Sequence, residues 1–165
     1  MPPRNPVSTA NVFGHPMHPM LIPFPIAFFV ATLACDIGFW ATGNDIWATV
    51  AIWLLGAGLI MGALGGLAGL GDFTGDGRIR EISAGWHHAI GNVIVVLIQI
   101  FSFFERYVYG TSAVLPIGII CSAVVVCILL FTGWKGWEMV YRHRVAVYDA
   151  PQPAPTQAEG PRRAA

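Results

Sequence analysis

The sequence predicts an all-α integral membrane protein, a four-helix bundle with both termini on the cytoplasmic side. Three observations lead there. Apolar residues make up 55% of the 165-residue chain and charged residues only 11%, against about 25% charged in ordinary soluble domains. The apolar residues fall into runs of bilayer length separated by short polar turns. The basic residues gather on one side of those runs. A mean hydropathy of +0.62 agrees: the chain lacks the charge to coat a water-soluble surface, so the lipid bilayer is its expected partner. The formal net charge is zero, which argues against nucleic acid as a partner.

Residues 1–12 form a polar, proline-bearing segment that is expected to be loosely ordered. They lack the apolar core of a cleaved signal. A four-span domain over 13–148 follows. Its first span, about 20–41, holds Pro23 and Pro25 near its start. Each proline removes a backbone N–H and bends the helix, so the entrance should be irregular and packed against protein. Thr42-Gly43-Asn44-Asp45 is a turn. The second span, about 46–70, carries Gly58, Gly62, Gly65 and Gly69 on one helical face, which suits close approach of another helix. The same stripe reaches Asp72. Residues 71–86 read as the longest loop, with Asp72, Asp76, Arg78, Arg80 and Glu81.

The third span, about 88–109, carries His88, Asn92 and Gln99 as a polar stripe on one face. The fourth covers about 113–133. Trp134 and Trp137 mark an interfacial belt, and Lys135–Arg144 continues as a more polar helix. The Ala/Pro-rich tail, 149–165, is expected to be disordered. Cys35, Cys121 and Cys127 all lie within apolar runs and read as small packing residues. Four spans bring both termini to one side. Arg4, Arg78, Arg80, Lys135, Arg142, Arg144, Arg162 and Arg163 share that side and only Arg106 lies opposite, so that side is expected to be cytoplasmic.

This topology brings all five histidines, His15, His18, His87, His88 and His143, to the cytoplasmic edge, with Asp72 and Glu138. Imidazole and carboxylate are ligands for transition metals, and two facing imidazoles suit a haem iron. The same groups also serve as caps and interhelical hydrogen bonds. His18 and His88 are the expected inward pair, with His15 as a further candidate and Asn92 on the stripe of His88. Asp72 either orients an imidazole or binds loop N–H groups. Haem b is the leading cofactor expectation. A transition metal held by His15, His18, His88 and Asp72 is an alternative, as is no cofactor at all. The histidines occupy a single layer, so a two-haem transmembrane wire is not expected.

Asp36 follows His18 by 18 residues, and Arg106 follows His88 by the same number. Spans one and three run in the same direction, so the two charges should lie at similar depth. Intramembrane charges usually pair. Asp36 should therefore face the interior and meet Arg106 or another donor, with Glu105 competing for Arg106. The pair reads as structural. No nucleophile–base set, phosphate loop or Cys-x-x-Cys motif occurs; this leans against an enzyme and leaves the question open.

The GHPMHPMLIPFPIAFF run with Asp36, the GLAGLGDF run closing span two, the His88/Asn92 start of span three and the GWKGWEMVYRHRVAV segment together resemble a bacterial family of four-helix membrane proteins catalogued as domain of unknown function 2231. The resemblance covers about 13–148. Lys135, Trp137 and Arg144 depart from its last motif. It implies a bacterial inner-membrane location and the four-span fold. It also implies a possible setting beside cytochrome or Rieske-type proteins, but no established activity. The functional expectation is a redox accessory binding one haem through His18 and His88; a non-enzymatic assembly subunit and a metal-binding membrane protein are the alternatives.

Overall fold

A computed structural model describes residues 5–148. The expected disordered tail lies outside the described residues, as do Arg4, Arg162 and Arg163. The chain opens with a two-stranded hairpin, β1 (Asn11–Val12) against β2 (His15–Pro16), antiparallel with Val12 opposite His15. Helices follow as α1 (Met17–Leu21), α2 (Pro23–Thr42), α3 (Asp45–Gly75), the short α4 (Gly77–Arg80), α5 (Ser83–Tyr109) and α6 (Ile119–Tyr141). A tight turn at Gly110–Ala113 and a wider one at Val114–Gly118 join α5 to α6.

Local chemistry accounts for the joints. α1 and α2 form one apolar run over Met17–Thr42, divided at Ile22 just before Pro23 and Pro25. Gly43, at φ 65°, ends α2 in the left-handed conformation that glycine adopts without a Cβ penalty. Asn44 then caps α3 by accepting the Ile46 N–H at 3.0 Å. At 31 residues α3 is about 46 Å long, well beyond the roughly 30 Å hydrocarbon layer.

Residues 71–86, expected as a loop, are mostly helical. α3 runs on to Gly75, α4 follows, and α5 starts at Ser83. Side-chain caps explain the difference. Asp76 accepts the Arg78 N–H at 3.1 Å and so starts α4. Arg80 Nη1 donates to the carbonyls of Phe73 and Thr74 at 3.0 and 2.9 Å, near the end of α3. The unpaired groups that would fray a helix end are thereby met. The N-terminal segment also differs from expectation, since its described part is tied down. Asn5 Nδ2 donates to the Val147 carbonyl, the Ala146 N–H donates to the Pro6 carbonyl, and Ser8 is buried.

The long helices pack in a ring in chain order, α2 on α3, α3 on α5, α5 on α6 and α6 on α2. Large apolar side chains point outward, among them Trp53, Leu67 and Leu130, while small and polar residues fill much of the interior, as suits a bundle solvated by lipid. The glycine face of α3 meets span one. A Cβ at Gly58 would enter the ring of Phe29, and those at Gly62, Gly65 and Gly69 would reach Pro25, Ile22 and His18.

The interior also carries an internal two-fold. The buried residues Pro25, Phe29, Thr32 and Asp36 of α2 match Val95, Gln99, Ser102 and Arg106 of α5, each pair 70 positions apart. The buried Leu55, Gly58 and Gly65 of α3 match Ser122, Val125 and Thr132 of α6, each pair 67 positions apart. The two helical hairpins are thus related about an axis along the bundle, and matching positions of α2 and α5 face that axis.

At one end of the axis Arg106 binds Asp36 through two hydrogen bonds, Nη1 to Oδ1 and Nη2 to Oδ2, both 2.8 Å. Ser122 Oγ donates to Oδ2 at 2.7 Å, and Arg106 Nε donates to Ser102 Oγ at 3.3 Å. Both charges are almost wholly buried. A Cβ at Gly118 would lie 2.6 Å from Arg106 Nη2, so that glycine makes space for the guanidinium. Asp36→Ala should strand a buried cation and cost about 3–5 kcal/mol of stability, measured by unfolding in detergent. The exchange Asp36→Arg with Arg106→Asp should restore a buried ion pair and recover part of that loss, but not all of it, because Ser122 and Gly118 serve the native orientation.

Candidate functional site

At the other end of the axis the structure brings His18 and His88 together. Their ring centroids are 5.9 Å apart with the planes at 77°. The two rings are seated alike. His18 Nδ1 lies 2.8 Å from the Gly65 carbonyl on α3, and His88 Nδ1 lies 2.9 Å from the Thr132 carbonyl on α6. A carbonyl can only accept, so each Nδ1 carries the proton and donates it. The residue one turn beyond each accepting carbonyl is glycine. A Cβ at Gly69 would lie 2.7 Å from His18 Nδ1, and one at Gly136 would lie 3.3 Å from His88 Cε1. Each glycine lets an imidazole lie against the helix beside a carbonyl that a side chain would shield.

With Nδ1 protonated, the neutral ring keeps its lone pair on Nε2. His88 Nε2 is buried and has no hydrogen-bond partner in the protein. A backbone carbonyl on Nδ1 and a bare Nε2 is the arrangement that orients a metal-ligating histidine.

The remaining candidates lie elsewhere. His15 is exposed on β2, and its Nδ1 contacts the Phe13 carbonyl at 3.1 Å. Asp72 accepts from Ser8 Oγ and from the Ala10 N–H, both at 2.8 Å on Oδ1. Its observed role is to hold the N-terminal strap, and no imidazole bonds to it. Asn92 Nδ2 donates to the His88 carbonyl at 2.8 Å within its own helix. His87 is exposed beside Phe131, and His143 is exposed beyond α6. The expected four-sided cluster is therefore a pair. Among the described residues, no group of three or more His, Cys, Asp or Glu side chains converges on a metal-sized centre. The four-ligand set of His15, His18, His88 and Asp72 is not assembled, because the strap claims Asp72 and the hairpin carries His15 away.

A family model described as "Predicted membrane protein (DUF2231)" matches residues 14–149. The chain belongs to the DUF2231 family. No curated protein and no solved structure matches it. The DUF2231 match begins at Gly14, just before the hairpin strand that leads into His18, and covers every element of the histidine pair and the ion pair. In this DUF2231 chain sequence reasoning singled out His18, His88, Asp36 and Arg106. It missed the carbonyl seats on α3 and α6 and the two serines at the ion pair. The equal 18-residue spacings from histidine to charge were the available sign of the internal two-fold.

The strap at the histidine end has its own charge chemistry. Asp76 accepts the Val7 N–H on Oδ2 at 2.9 Å and pairs with Arg78 through both carboxylate oxygens. The hydrogen-bonded Arg78 guanidinium holds the Asp76 carboxyl well below the usual carboxylate range. A group with a lowered folded pKa stabilises the fold above its unfolded value and loses that contribution as pH falls below it. The Val7 contact should therefore be intact at neutral pH, persist through about pH 4, where a free aspartate protonates, and be lost only in markedly more acidic solution. The Val7 amide chemical shift in detergent should report that acid transition, and Asp76→Asn should abolish it.

Proposed function

We propose that this DUF2231 protein is a redox accessory of the bacterial inner membrane that holds one b-type haem between His18 and His88, with both termini cytoplasmic. The observation that carries the reading is the pair of imidazoles whose Nδ1 atoms are both engaged by backbone carbonyls, with His88 Nε2 buried and unpartnered. Two protein ligands alone suit a metal that arrives with further donors of its own, as haem iron does. When bound, that group would supply one-electron chemistry. His18 and His88 would hold it, the Gly65 and Thr132 carbonyls would fix the tautomer of each ring, and the helices would keep the site inside the bundle. A cytochrome or Rieske-type protein in the same membrane is the fitting class of partner.

A second reading rests on the same residues. The rings already touch edge to face, and each brace runs to the flanking helix of its own hairpin. That is what a non-enzymatic assembly subunit would need to stiffen one end of the bundle. A bare transition metal, lacking a third protein ligand among the described residues, is the weaker case.

The visible spectrum separates the readings. Protein purified after expression with ample haem should show a Soret band, which His18→Ala and His88→Ala should each remove. A protein with no Soret band, in which both substitutions lower thermal stability, would reject the haem reading in favour of the structural one. Stoichiometric metal without haem would select the metal alternative.

A further inference from the structure

We infer that Gln99 anchors a buried water site on the bundle axis, on the ion-pair side of the membrane interior and apart from the histidine pair. Gln99 has no solvent exposure, and neither Oε1 nor Nε2 has a hydrogen-bond partner within the protein. An amide carries two donors and two acceptor lone pairs. Leaving all of them unmet in an apolar interior is strongly unfavourable, and inside a bilayer no bulk solvent can relieve it.

The surroundings point to water as the partner. Ser102, one turn further along α5, is fully buried; it accepts from Arg106 Nε and keeps its own hydroxyl proton to give. Thr32, the equivalent of Ser102 across the axis, is fully buried and gives its proton to the Phe28 carbonyl at 2.8 Å, which leaves its oxygen able to accept. Beyond them lies the Asp36–Arg106–Ser122 knot. Buried waters are found where several such groups converge without enough protein partners.

Toward the histidines the next turn offers no side-chain donor or acceptor: Val95, one turn before Gln99, and its counterpart Pro25 are both buried and apolar. Phe29 and Val125 pack level with the amide. At 1.5 Å per residue, Gln99 stands about 16 Å from the level of His88 and about 10 Å from that of Arg106. The water site therefore belongs with the ion pair, and its existence does not depend on any cofactor at the other end.

Nuclear magnetic resonance of the full chain in perdeuterated detergent tests the inference, with water itself as the probe. The chain has three glutamines, Gln99, Gln152 and Gln157, so the side-chain amide signal that vanishes in Gln99→Met belongs to Gln99. That signal should show a cross-peak to water, and Gln99→Met should lower the melting temperature by several degrees because it dismantles a satisfied network. Absence of the water cross-peak in the unsubstituted protein would overturn the inference. So would a melting temperature that is unchanged or raised by Gln99→Met, because removing an unsatisfied amide stabilises an interior.

Discussion

A charge inside a bilayer must find its counter-charge, and the bundle is arranged around that demand. Asp36 on α2 and Arg106 on α5 meet across the axis through two hydrogen bonds, with Ser122 of α6 on the carboxylate. Three helices are thereby fixed in rotation about their own axes. Helical geometry carries the constraint further. Eighteen residues at 3.6 per turn make about five whole turns, so a residue 18 before each charge returns to the same face. On α5 that residue is His88. On span one it is His18, across the joint at Ile22. Facing Asp36 toward Arg106 therefore faces His18 toward His88, and the two ends of the axis are one geometric fact.

The internal two-fold explains why the two imidazoles are seated so similarly. Each hairpin presents a carbonyl on its second helix and a glycine one turn beyond, Gly65 with Gly69 and Thr132 with Gly136. The halves differ where asymmetry is chemically required. An aspartate must oppose an arginine at one end, and in mid-membrane Phe29 in the notch of Gly58 is matched by Gln99 and Val125. A two-fold arrangement of hairpins suits paired side chains on the axis, and this chain carries a like pair at one end and an unlike pair at the other.

Much of this was legible in the residues. Apolar runs and prolines set out the four spans, the glycine stripe of α3 marked the close helix contact, and the two equally spaced charges pointed toward each other. Other features were hidden because they depend on local capping or on carbonyls, which all residues share. Asp76 looked like a loop carboxylate, yet it binds the N-terminal strap and starts a further helix; of the two roles open to Asp72, it takes the bond to a loop N–H, that of Ala10. A polar proline-bearing segment appeared loose because its partners, the ends of α3 and residues 146–147, come near it only after folding. The histidines read as a cluster because sequence places side chains in a layer but not around an axis. Once seated, only His18 and His88 converge.

Two imidazoles are held on the axis with Nδ1 on a backbone carbonyl, and His88 Nε2 is bare. Nitrogen-15 resonance of histidine-labelled protein in bilayers tests this arrangement most directly, with single substitutions assigning the five rings. His18 and His88 should both appear as Nδ1–H tautomers and should show a through-space contact between their rings. Nε2–H tautomers at either position, or two rings with no contact, would contradict it.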